Sequence, residues 1–87
     1  MKPIRWTPHA RKKAAAREVS PAEVERALTH PETIGAGHPP RQIFMRRYFD
    51  ATLQAEMLLR VVAEETEAEL VVVTLYKTSK FAKYAAG

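Results

Sequence analysis

The residues best equipped for chemistry in this chain are cationic and aromatic, and many gather toward its end. Lys77, Lys80 and Lys83 recur every three residues, with Tyr76, Phe81 and Tyr84 interleaved. Ammonium groups beside aromatic rings suit an anionic ligand that carries rings of its own, phosphate going to the lysines and bases to the rings. The same spacing equally suits a terminal helix anchored by Phe81 and Tyr84, its lysines left in water. Arg46 and Arg47 are neighbours in an alternating run, so they point to opposite faces and only one can line a given surface. Arg60 stands in an otherwise apolar run. An unpaired buried guanidinium is costly, so Arg60 should face solvent on an open sheet face or meet an acid.

The three histidines, His9, His30 and His38, lack the pairwise spacing of a metal site. His9 falls in the first turn of an expected helix, where the dipole disfavours added positive charge. It could bind or shuttle a proton, or serve as a capping or surface residue. His30 and His38 flank prolines and should be exposed. Gly35-Ala36-Gly37 lacks the helix and lysine of a phosphate loop, and no carboxylate pair suggests glycosidase or two-metal chemistry. The absence of cysteine excludes disulfides, thiolate zinc sites and a thiol nucleophile. No metal or cofactor is expected.

Charge is unevenly distributed. The chain holds 14 Lys and Arg against 10 Asp and Glu, a net +4. Lys2, Arg5, Arg11, Lys12, Lys13 and Arg17 all precede the first acid, Glu18, while Glu64, Glu65, Glu67 and Glu69 crowd one segment. Without that segment 14 cations face 6 acids, a balance of +8. Such a field favours an anionic partner, nucleic acid above all, although lysine-rich faces also serve solubility. The acidic segment reads as a soluble hairpin or edge protection.

The elements that must position these residues are legible locally. With 87 residues there is room for one domain, residues 1–87, with a small core. Residues 4–6 read as a short opening strand. Thr7-Pro8 is an N-cap followed by proline at the first helical position, and the helix it starts has a narrow face of Ala10 and Ala14 opposite Arg11, Lys12, Lys13 and Arg17. Ser20-Pro21-Ala22-Glu23 is a capping box, serine and glutamate each satisfying the other's backbone amide. It opens a second helix with Val24, Ala27 and Leu28 on one stripe, stopped by Pro31. Residues 35–40 read as a loop. Residues 43–49 alternate as a strand, 57–63 form the next, and a tight turn at Thr66-Glu67-Ala68 leads into 70–76, whose apolar run on both faces predicts the central strand. Residues 78–85 read as a short last helix. No signal-peptide core or apolar run of membrane-spanning length appears, so a soluble, cytoplasmic protein without membrane contact is expected.

Together these residues resemble the small bacterial domain-of-unknown-function family numbered four-two-five-eight. The elements that carry the resemblance are Thr7-Pro8-His9-Ala10, Arg17, Val19-Ser20, Val24 and Thr74-Leu75-Tyr76, spread over most of the chain; Lys13-Ala14 departs from the Arg-Met or similar pair often found there. That family is similar to the RelE/ParE toxin-like fold, and residues 77–84 resemble the closing segment of RelE- and BrnT-like toxins. The resemblance implies an α+β fold: two N-terminal helices on a small, mainly antiparallel sheet of three to four strands, with a C-terminal helix. It implies a toxin of a toxin-antitoxin system that cuts messenger RNA, often on the ribosome, without a metal, or otherwise inhibits translation, and that is neutralised by a small acidic antitoxin, as monomer or homodimer. By position it carries over Arg60 and Tyr84, with Lys77, Lys80 and Arg46 as weaker transfers. Tyr84 or His9 would then act as general acid or base, and Arg60 and Lys77 would stabilise charge. Arg46, Arg47, Lys80, Lys83, Arg11, Lys12 and Arg17 would contact nucleic acid. The alternatives are a non-catalytic RNA- or protein-binding module on the same fold, or a ParE-like topoisomerase inhibitor.

Overall fold

The computed structural model describes residues 2–81. In chain order the elements are β1 (Ile4–Trp6), α1 (Pro8–Ala16), α2 (Pro21–Thr29), β2 (Thr33–Ala36), β3 (Arg41–Asp50), β4 (Ala55–Glu65) and β5 (Leu70–Thr78). The strands form one mixed sheet in the order β1-β5-β4-β3-β2, with β1 parallel to β5 and every other pair antiparallel. This is the expected α+β class with two helices on a mainly antiparallel sheet.

Both helices start as the sequence dictates. Thr7 Oγ1 accepts from Ala10 N at 3.1 Å and donates to the Val72 carbonyl at 2.9 Å. One threonine therefore caps α1 and fastens its start to β5. Ala14 and Ala15 carbonyls accept from Val19 and Glu18 amides, at 2.9 and 3.2 Å, while Glu18 takes a positive φ of 56°. That is the Schellman pattern, with buried Val19 as its apolar contact. Ser20 Oγ accepts from Glu23 N at 3.3 Å, but the reciprocal half of the capping box is not made: Glu23 Oε1 turns to Arg26 Nη1 at 2.9 Å. A charge-assisted bond one turn along the helix outcompetes a neutral backbone amide.

The core lies between the helices and one face of the sheet. Ala10, Ala14, Val24, Ala27 and Leu28 pack on Phe44, Leu59, Val61, Ala63, Val72 and Leu75. Burying each large aliphatic side chain contributes roughly 1.5–3 kcal/mol.

Three expectations need correction. The sheet has five strands, because residues 33–36, expected in part as loop, pair as β2 with β3 (Ile34 opposite Phe44). A four-residue edge strand with one large apolar residue carries too little pattern to stand out. The middle of the sheet is β4, not the 70–76 run, since β1 flanks β5 on its far side. An apolar run on both faces marks an inner strand without saying which one. Finally, β5 continues through Thr78, so the last helix does not begin there; helical backbone starts at Phe81, the last described residue. The remainder of the expected C-terminal helix, residues 82–85, lies outside the described residues.

Candidate functional site

Strand alternation sorts the reactive residues onto two faces. The register Arg60↔Tyr76, Val62↔Thr74 and Leu58↔Thr78 places Arg60, Thr74, Tyr76 and Thr78 on the face opposite the helix-packed core. Arg60, Tyr76, Lys77 and Thr78 line a concavity of about 380 Å³ there. Helix α1 runs beside β5 beyond the end of β1 and adds two residues from the flank. His9 Nε2 lies 3.2 Å from Thr74 Oγ1, and Lys13 Nζ sits 4.9 Å from the centre of the Tyr76 ring. The match is geometric: four residues of helix rise about 6 Å, and two residues of strand rise about 6.6 Å. His9 and Lys13 therefore keep step with Thr74 and Tyr76. Tyr76 is 45 % exposed, so its ring is open to a ligand while a cation rests against it.

The other face holds a closed polar cluster. Asp50, the chain's sole aspartate, is 2 % exposed. Its Oδ2 accepts from Lys77 Nζ at 2.6 Å and Tyr48 Oη at 2.9 Å, and its Oδ1 from Leu53 N at 3.0 Å. These donors, Lys77 foremost, hold the carboxyl down at about 2. Burial first, and then Asp50, pushes the Tyr48 phenol well above its usual range. Both groups stay in one protonation state through the physiological range. The Lys77 ammonium is neutralised where it stands.

The model of the family described as a domain of unknown function, DUF4258, matches residues 6–77, most of the chain. The chain belongs to the DUF4258 family. No curated protein and no solved structure matches it.

The remaining cations of this DUF4258 domain divide by partner. Arg46 Nη1 donates to the His30 carbonyl at 2.9 Å, at the C-terminal end of α2. Arg47 forms a two-pronged ion pair with Glu32, Nε to Oε1 and Nη2 to Oε2 both at 3.2 Å. That pairing raises the Arg47 pKa and lowers that of Glu32. Lys2, Arg5 and Arg41 pair with Glu65, Glu69 and Glu64 at 3.0, 2.9 and 3.1 Å. The acidic hairpin thus meets the cations it was expected to leave in excess. Arg11 rests 5.9 Å from the centre of the Trp6 ring. Lys12, Arg17 and Lys80 are exposed, as are His30 and His38. Lys83 and Tyr84 lie outside the described residues.

Of the proposed site residues, His9 and Arg60 therefore share a surface, and Lys77 lines its edge while its charge goes to Asp50. Sequence reasoning did not pick out Lys13, Tyr48, Asp50 or Glu32. Lys13 was reachable, since it follows His9 by four positions on a helix. Asp50 had the weaker signal of being the lone aspartate beside a strand end.

No helix among the described residues is long and apolar enough to cross a membrane.

Proposed function

We propose that this protein binds RNA at the surface formed by His9, Lys13, Arg60 and Tyr76, and acts there as a toxin-like, metal-free endoribonuclease of RelE/ParE type. Several things support the reading. Arg60 and the exposed Tyr76 ring line a concavity, and α1 brings the Lys13 ammonium against that ring and the His9 imidazole to Thr74 on the same strand. Helix α1 beside it carries exposed Arg11 and Lys12, with Arg17 at its C-cap, none of them paired with an acid among the described residues. The cytoplasm, where message and ribosome are found, is the corresponding location, and a small acidic antitoxin would find its counter-charge on the same helix.

In the reaction, the ribose 2′-oxygen forms a bond to the adjacent phosphorus as the bond from phosphorus to the 5′-oxygen breaks. Imidazole is the side chain that exchanges protons near neutral pH. In the tautomer in which Nε2–H donates to Thr74 Oγ1, His9 has Nδ1 left to take the 2′-hydroxyl proton. Arg60 and Lys13 face the negative charge that develops on the phosphoryl oxygens, and the Tyr76 ring offers a base a stacking platform. Tyr84, carried over from the resemblance, is the candidate acid for the leaving oxygen. Lys77 is assigned to Asp50 and not to phosphate.

The observation that carries this reading is the convergence of His9 and Lys13 on the strand residues beside Arg60. The test is a cell-free translation reaction with purified protein, followed by primer extension on the message. Inhibited synthesis with discrete new 5′ ends, lost in His9→Ala and Arg60→Ala, is the expected result. Full synthesis on intact message would end the nuclease reading. The second reading, a non-catalytic RNA-binding module, is favoured by the neutralisation of Lys77 at 2.6 Å from Asp50, which removes one candidate catalytic cation. It predicts RNA retention without new ends.

A further inference from the structure

On the other flank of α1 a second cleft, of about 420 Å³, lies between β1, α1 and the start of α2. Its apolar walls come from Ile4, Trp6, Ala14 and Val19, and its charged groups are Arg11 and Glu25. The two charges do not pair with one another: the Arg11 guanidinium lies 5.9 Å from the centre of the Trp6 ring, and the Glu25 carboxylate accepts no hydrogen bond from a described residue. The cleft therefore offers an indole wall with the Arg11 fork of N–H donors standing over it, far enough from the ring to swing to a base edge, and an unengaged carboxylate.

We propose that this cleft holds a guanine base of single-stranded RNA. The inference rests on the RNA reading above and adds to it where the strand is gripped and which base is preferred. A purine fits the volume, and stacking on an aromatic wall stabilises a bound base by about 1–3 kcal/mol. Guanine alone among the four bases presents two adjacent donors, N1–H and the N2 amino group, on one edge, which a carboxylate such as Glu25 can accept together. Its O6 and N7 acceptors suit the Arg11 fork. Adenine and cytosine place an acceptor beside their amino donor, and uracil sets its one N–H between two carbonyls; each would turn a lone pair toward the carboxylate. Helix α1 links this cleft to the first surface. His9 and Lys13 face β5 and Arg11 faces the cleft, with Lys12 exposed between, so a strand crossing α1 would meet cations along its phosphates.

Trp6 is the only tryptophan in the chain, and its fluorescence therefore reports on the cleft alone. Titration of the full chain with GMP should quench it saturably, with half-saturation at least about fivefold below that for AMP, CMP or UMP, the lower end expected of one good two-bond base contact. Glu25→Gln should abolish the preference, and Arg11→Ala should raise the GMP half-saturation. Both side chains are exposed, so neither change threatens the fold. Absence of saturable quenching by GMP, or equal quenching by all four nucleotides unaffected by Glu25→Gln, would overturn the proposal. Filter retention of a single-stranded RNA, compared with its Arg60→Ala variant, separates the two readings. Retention without quenching sinks the base pocket and leaves the RNA surface standing. GMP-selective quenching without retention overturns the assignment to RNA, in the cleft as on the first surface, and leaves a site for the free nucleotide.

Discussion

Tyr76 and Lys77 are adjacent in sequence and have opposite fates. Tyr76 lies on the open face, nearly half exposed, with Lys13 against its ring. Lys77 reaches from the helix-packed side of β5 across β4 to Asp50, and its side chain is 13 % exposed. One region is an accessible surface, where an exposed phenol ring carries a lysine against it. The other is a closed ion pair, completed by a phenol and a backbone amide, that ties the end of β5 to the end of β3. A run of lysines and aromatics thus says nothing about which of them can bind; the twofold alternation of the strand and the position of one aspartate decide it.

The comparison can be tested first at Asp50. Asp50→Ala strands the Lys77 ammonium in a largely buried place, and removing one partner of such a pair is strongly destabilising. We expect its fall in denaturant midpoint to exceed that of Arg60→Ala or Lys13→Ala. A midpoint like that of the parent would show that the cluster does not hold the strand ends.

Acid should reproduce this more gently. The folded carboxyl sits at about 2 against an ordinary 3.8, a depressed value. Its stabilising contribution is therefore complete above the ordinary value and is lost as pH falls through the interval toward about 2. Unfolding midpoints measured from pH 5 down to pH 2 should drop, and Asp50→Asn should flatten that part of the profile.

RNA binding probes the open region. Arg60→Ala and Lys13→Ala should each weaken retention of a single-stranded RNA and lower the slope of log affinity against log salt by about 0.7, the value for one phosphate contact on a single strand. Lys77→Met supplies the contrast: it removes a charge already neutralised, so affinity should stay within about twofold and the slope unchanged. A slope change as large as that of Arg60→Ala would erase the distinction between the two regions. The smallest effect is on stability at Lys13, where losing the contact with Tyr76 should cost about 0.5–1 kcal/mol in a denaturation experiment.

Local signals carried much of the fold. Thr7-Pro8 and Ser20-Pro21 announced both helix starts, because capping involves only residues within one turn. Alternation announced β3, and apolar runs rich in Val and Leu announced β4 and β5. β2 stayed hidden because Thr33–Ala36 is a strand only by virtue of its pairing with β3. The reciprocal bond expected of Glu23 was lost to Arg26, a competitor on the same helix. At the candidate site, His9 and Arg60 could be named from the sequence, but their sharing a surface with Lys13 and Tyr76 could not. That depends on α1 lying against β5, more than sixty positions away along the chain.

The sequence by itself determined the helix caps, the alternating strands, the cationic character of α1 and, through residues 6–77, membership of the DUF4258 family. Tertiary structure alone decided which charges pair between elements. Glu64, Glu65 and Glu69 took Arg41, Lys2 and Arg5, Glu32 took Arg47, and Asp50 took Lys77. The reason is physical: a helix cap or a strand's alternation is set by neighbours a few residues apart, whereas an ion pair depends on distance in space, which the chain fixes only when the sheet assembles.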